Sequence, residues 1–221
     1  MEKLLNAELE GQIKEVFQGL KDPVVALFFG SKLNNCTYCQ DTLQMLQELV
    51  ALSDKIALEV YDLEENSATA EKYHVTMAPG IVITRRDGAE LVDYGVRFAG
   101  IPAGHEFTSL VRSFILVSTA DSELKPATKK FLSELKKPVK LEVFVTPTCP
   151  YCPQAVILGH QMAVESKFVE STMVEATEFP ELSTRYGVGG VPHTVINFDA
   201  ASMVGAAPEA MLLEKIQEAL K

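Results

Sequence analysis

The chain repeats itself with a period of 113 residues. Cys36 and Cys149 stand at that offset. So do Cys39 and Cys152, Tyr73 and Tyr186, Pro79 and Pro192, and the acidic residues Asp62 and Glu175. The segments Tyr73–Ile83 and Tyr186–Ile196 align without a gap. One pair at a fixed spacing is coincidence. Two Cys-x-x-Cys pairs, a tyrosine, a proline and a carboxylate in one register mean that one structural unit has been duplicated. We place the two units at residues 1–118 and 119–221, joined through the polar stretch Val117–Lys125.

Each copy reads as the same series of elements. An amphipathic helix leads, near Lys3–Leu20 in the first copy and Glu123–Lys136 in the second. A buried strand follows, Val24–Phe29 or Val139–Val145, rich in valine and phenylalanine as a strand covered on both faces should be. The Cys-x-x-Cys comes next and opens a helix, with Cys39, Leu43, Leu46 and Val50 predicted along one face. A second strand (Ile56–Tyr61 or Phe168–Val174) leads to a short helix ending at Tyr73 or Tyr186. Beyond the prolines lie Ile81–Thr84 or Thr194–Phe198, a further strand, and a closing helix near Pro102–Val117 or Pro208–Leu220. The fold class is therefore α/β, two tandem βαβαββα units each with a leading helix. The first βαβ makes parallel strands and the last two strands make a hairpin.

Composition narrows the function. Hydrophobic residues supply 47% of the chain, enough for a core without covalent staples. Thirty acidic residues against twenty basic ones give a formal charge of −10, which disfavours nucleic acid or an anionic membrane as partner. The first twenty residues alternate charges with leucines and do not read as a secretory signal. No run reaches the roughly 18 apolar residues that span a bilayer, so the expected location is the cytoplasm. All four cysteines fall in the two pairs, which in a reducing compartment points to redox catalysis or metal binding. Compact zinc modules set their pairs roughly 15–20 residues apart. Here 109 residues separate Cys39 from Cys149, and each pair lies within its own repeat. No metal site is expected.

A strand, a Cys-x-x-Cys opening a helix, and a proline before a β-rich segment together resemble the thioredoxin/glutaredoxin fold. Two such units resemble the protein disulfide oxidoreductases, or glutaredoxin-like proteins, of thermophilic archaea and bacteria. The most specific stretches are Gly95–Phe107 (GVRFAGIPAGHEF) and Phe144–Pro153 (FVTPTCPYCP). The resemblance implies one continuous mixed sheet and redox-active disulfides Cys36–Cys39 and Cys149–Cys152. It makes Cys36 and Cys149 nucleophiles, Cys39 and Cys152 resolving thiols, and Pro79 and Pro192 the cis-prolines facing them. No further cofactor is implied. The implied partners are protein disulfides, a thioredoxin-reductase-like flavoprotein as electron source, and a peroxiredoxin. The first site departs from the pattern: it reads Cys-Thr-Tyr-Cys after a longer approach, so the second site is expected to dominate. His193 stands where a lysine is more usual. Gly205-Ala-Ala-Pro-Glu replaces the Gly-Gly-x-x-Asp segment with which glutaredoxins hold glutathione.

The residues suit this chemistry. Thiol–disulfide exchange needs a thiolate, which the unpaired N–H groups and positive pole of a helix N-terminus favour. A second thiol three residues on can attack the mixed disulfide and release the product. Pro150 suits a first helical turn, and Thr37 takes its place in the first site. A proline between a helix end and a strand can hold a cis bond. Ala78 and Val191, just before these prolines, can pair their backbone with an extended substrate. Tyr38 and Tyr151 either stack on substrate or shield the turn. Asp62 and Glu175, ending the second strand of each unit, could relay a proton to the resolving thiol, though a charge favoured by a helix N-terminus is the simpler reading. Of the histidines, His74 and His105 are expected on the surface or in loops, His160 on the second redox helix, and His193 beside a site. Two other functions compete with a general oxidoreductase: an electron carrier dedicated to one peroxiredoxin, and a non-enzymatic metal-binding or chaperone module.

Overall fold

The computed structural model describes residues 3–33 and 36–221. Among these residues the element order is α1 (Ala7–Phe17), β1 (Val24–Gly30), α2 (Cys39–Val50), β2 (Ile56–Asp62), α3 (Ser67–Lys72), β3 (Gly80–Asp87), β4 (Glu90–Ala99) and α4 (Glu106–Thr119). The series then repeats as α5 (Pro126–Ser133), β5 (Val139–Val145), α6 (Cys152–Glu165), β6 (Val169–Glu175), α7 (Pro180–Arg185), β7 (His193–Ile196), β8 (Ala201–Val204) and α8 (Glu209–Ala219). Both copies are βαβαββα behind a leading helix.

The eight strands make one sheet in the order β2-β1-β3-β4-β6-β5-β7-β8. Parallel β1/β2 and β5/β6 pairs lie inside each unit, flanked by antiparallel partners. The units join where β4 runs parallel to β6 over Val96–Ala99 and Ser171–Val174. Gly95 makes this seam possible. Its φ of +79° suits glycine, and a Cβ there would sit 2.6 Å from the Val169 carbonyl oxygen.

Burial explains the apolar runs. Val24 to Phe29 are all buried because β1 is covered on both faces. The main core lies on one face and draws on α1, α2, α4, α5, α6 and α8. The opposite face carries two smaller clusters, beneath α3 and α7. Helix α6 is the centre of the molecule. Its Gly159 lets the backbone press on β6, where an added Cβ would collide with Ser171 Oγ. Helix α4 belongs to the first unit yet packs on α6, and Ser113 Oγ lies 2.8 Å from His160 Nδ1.

Local signals set the ends. Asn6 caps α1, its side chain accepting from the Leu9 N–H at 2.9 Å. Ala120, in the left-handed region at φ 50°, closes α4. Helix α2 differs from its expected pattern. The buried face is Thr42, Met45, Leu46 and Leu49, while Leu43 and Val50 lie along its flank, half-buried. No helix among the described residues is long and apolar enough to cross a membrane.

Candidate active site

Each Cys-x-x-Cys follows a central strand and closes on itself. Cys36 is bonded to Cys39 and Cys149 to Cys152, with Cα separations of 5.4 and 5.5 Å. The helices begin later than the sequence pattern suggested. Cys39 and Cys152 are the first helical residues, Tyr38 and Tyr151 are the N-caps, and the leading cysteines stand in the turn before. Pro150 therefore lies in that turn rather than in the helix, and Pro153 takes the early helical place. The shift does not remove the sulfurs from the helix pole. It places the leading sulfur beyond the end of the helix, on the side of the unpaired N–H groups.

The two sites differ in exposure. Cys152 is fully buried and Cys149 retains 8% of its surface, whereas Cys36 and Cys39 are both half-exposed. Tyr151 stands 69% exposed beside the second site and Tyr38 40% beside the first; Thr37 and Pro150 are exposed as well. The bonds Ala78–Pro79 and Val191–Pro192 are both cis, with each proline buried and the preceding residue half-buried.

Strands β1 and β5 point the same way, because β1 opposes β3, β3 opposes β4, and β4, β6 and β5 run together. Both disulfides, both cis-prolines and the β4–α4 loop consequently share one edge of the sheet. Four strand spacings lie between β1 and β5, about 19 Å at roughly 4.8 Å each. Four sulfurs that far apart cannot share one ion. Among the described residues no group of three or more His, Cys, Asp or Glu side chains gathers as metal ligands.

The acidic residues divide. Asp62 accepts from the N–H groups of Glu64, Glu65 and Lys32 at 2.9–3.1 Å, and these bonds hold its carboxyl below the usual range, the geometry of a turn cap. Glu175 is buried and accepts from Thr177 Oγ1 and the Glu178 N–H. Sequence reasoning passed over two other carboxyls. Glu106, at the start of α4, is 1% exposed, and burial pushes its pKa to about 7. One of its oxygens accepts from Ser109 Oγ at 2.6 Å and the other has no hydrogen-bond partner. Its neighbour His105 donates its N–H to the Pro147 carbonyl, two residues before Cys149. Glu178, also raised to about 7 by burial, accepts from the Ile101 N–H at 2.6 Å. Glu178 bonds across the two units, whereas the bond of Glu106 stays within α4. At the 113-residue offset Glu178 matches Glu65 and Glu106 meets Ala219. A glutamate inside the Gly95–Phe107 stretch was the available signal for Glu106.

The histidines fall mainly where expected. His74 is exposed and pairs with Glu170 at 2.8 Å, and His105 lies in the β4–α4 loop. His160 is buried on α6 with Nε2 3.2 Å from the Arg97 carbonyl oxygen, and burial lowers its pKa to about 4. His193 is the exception. It pairs with Phe144 and shares the face of Val195, opposite the core that holds Cys149 and Cys152. Both of its ring nitrogens are buried without partners.

Two half-sheets fused edge to edge, each with a closed Cys-x-x-Cys before a helix and a cis-proline at the same sheet edge, define a tandem thioredoxin-fold redox protein. The thioredoxin-domain family model matches twice, at residues 32–111 and 139–218, and the chain belongs to that family. It is similar to a protein disulfide oxidoreductase from Aeropyrum pernix, with a TM-score of 0.86 and 31% identity over 96% of this chain and 92% of that one. It is also similar to the N-terminal domain of the alkylhydroperoxide reductase AhpF from Enterococcus faecalis, with a TM-score of 0.86 and 27% identity over 96% and 99% of the two chains. The whole AhpF protein of Pseudomonas aeruginosa is 27% identical over 194 residues, 88% of this chain and 34% of that protein. The chain thus spans about a third of the length of the curated relatives it matches.

Proposed function

We propose that the chain is a protein dithiol–disulfide oxidoreductase working by thiol–disulfide exchange at two sites. The observation that carries this reading is the pair of closed four-residue disulfides, each ahead of a helix N-terminus and on one sheet edge with a cis-proline. In the reducing direction, the Cys149 thiolate attacks one sulfur of a client disulfide. A mixed disulfide forms and one client sulfur leaves as thiolate. Cys152 then attacks Cys149, the second client thiol departs, and the Cys149–Cys152 bond closes. Two electrons pass to the client, and a flavoprotein of the thioredoxin-reductase type restores the dithiol. Cys36 and Cys39 act likewise.

The residual exposure of Cys149 and the full burial of Cys152 suit attacking and resolving roles. Pro79 and Pro192, with Ala78 and Val191 before them, hold the client backbone. Tyr38, Thr37, Tyr151 and Pro150 form the exposed rims, and Glu175 is the better placed of the two candidate proton relays because it is buried. We take residues 1–118 and 119–221 as the two units and the cytoplasm as the compartment.

An insulin-reduction assay on the parent, Cys36→Ser and Cys149→Ser chains tests this. We expect Cys149→Ser to lose most of the activity and Cys36→Ser a smaller part; full activity in both variants overturns the reading. A second reading is favoured by the likeness to the whole N-terminal domain of AhpF: a carrier that hands flavoprotein electrons to a peroxiredoxin. Peroxide turnover in a reconstituted three-protein system, with no activity on insulin, would select it.

A further inference from the structure

The loop after β4, Gly100 to His105, lies midway along the edge that carries both sites, and it is fastened at three points. The Gly100 N–H donates to the carbonyl of cis-Pro79, 2.8 Å away. The Ile101 N–H donates to Glu178 Oε1 at 2.6 Å. The His105 N–H donates to the Pro147 carbonyl at 3.0 Å, on the turn leading into Cys149. Two glycines allow these approaches. Gly100, at φ +88°, leaves space that a Cβ would take within 2.6 Å of Glu175 Cβ and 2.7 Å of Glu178 Oε1. Gly104, at φ +59°, lies so close to Pro147 that a Cβ would run into its carbonyl. The first unit supplies the loop and the second supplies Glu178 and Pro147, so the contact exists only in the joined chain.

We propose that Glu178 is a positioning residue for the second redox site, holding the Gly100–His105 strut so that it fixes the turn before Cys149. Glu178 touches no sulfur; it acts through Ile101, Gly104 and His105. The carboxylate end of the strut is rigid because Glu178 is itself anchored, its N–H donating to Glu175 Oε2 at 2.6 Å. The strut also reaches cis-Pro79, so a shift of the loop is felt at both sites.

The experiment reads the second site alone, in the full-length chain carrying Cys36→Ser and Cys39→Ser. Glu178→Gln keeps an oxygen for the Ile101 N–H, and Glu178→Ala removes it. The pH profile of Cys149 alkylation by iodoacetamide and the equilibrium of the Cys149–Cys152 bond with dithiothreitol are measured for each. We expect Glu178→Ala to change the alkylation rate at neutral pH and the equilibrium constant by a factor of about three to ten, the range one lost hydrogen bond is worth. Glu178→Gln should stay within about twofold of the parent. Amide exchange at Ile101 and His105 should quicken in the alanine variant and provides a second measure of the strut. An alanine variant that matches the parent in sulfur chemistry, or a glutamine variant as perturbed as the alanine one, overturns the proposal. The inference rests on the redox reading of the second site. Alkylation needs no client protein, so a chain that passes this test and fails to reduce insulin distinguishes the two failures.

Discussion

Glu106 and His160 are two buried titratable groups whose effects on stability oppose each other. The Glu106 carboxyl rises from 4.5 to about 7 on folding, so the folded chain holds its proton where the unfolded chain has released it. Stability from this group is complete below pH 4.5 and is lost as pH climbs towards 7. His160 falls from 6.5 to about 4, so its contribution is present above 6.5 and disappears as pH drops towards 4. The two slopes offset each other in the parent. We expect Glu106→Gln to gain stability relative to the parent between pH 5 and 7.5, by on the order of 3 kcal/mol, read from urea unfolding at the two pH values. A pH-independent difference would refute the assignment. At the first site, Thr37→Pro should change the Cys36–Cys39 reduction potential, measured in glutathione buffers; identical potentials would show that this turn position is silent. The cysteines, prolines and tyrosines were legible because both copies keep them at one offset. Glu106 was not, since the 113-residue offset sets Ala219 against it; Glu178 matches Glu65 at that offset, but its bond to Ile101 crosses the junction and leaves no local pattern.

Strand and helix order were legible from valine-rich runs and proline positions, and β5 was read to the residue. The sites needing coordinates were those where tertiary contacts outvote local pattern. Helix α2 turns its buried face to Met45 and Leu49 because strands β1 and β2 lie beneath it. Strand β7 stops at Ile196, since Asn197, Phe198 and Asp199 all take positive φ and form a turn, although the sequence pattern carried the strand on to Phe198. The joined sheet was expected from the resemblance carried by Gly95–Phe107, but apart from a glycine in a strand no local pattern named β6 as the partner of β4. Gly95→Ala meets both a positive φ and a 2.6 Å approach to Val169, so we expect a loss of about 3 kcal/mol or more in thermal or urea unfolding. A change below about 1 kcal/mol would mean that the seam can open to admit a methyl group.

For the molecule as a whole, the duplication is clear in sequence but the two copies are not independent. Helix α4 of the first packs on α6 of the second, Phe98 stacks edge-on against His160, and β4 completes its pairing only with β6. Residues 1–118 expressed alone should expose Phe98, Leu110 and the β4 edge; we expect aggregation or a molten state by circular dichroism and gel filtration. A stable monomer would argue against the joint core. The single rim carrying both disulfides has a consequence of its own. Sulfurs must touch to exchange, and a gap of about 19 Å forbids that between the two centres. Fully reduced, the chain therefore stores four electrons as two separate pairs, and only a visiting molecule or a gross rearrangement can carry charge from one end of the rim to the other.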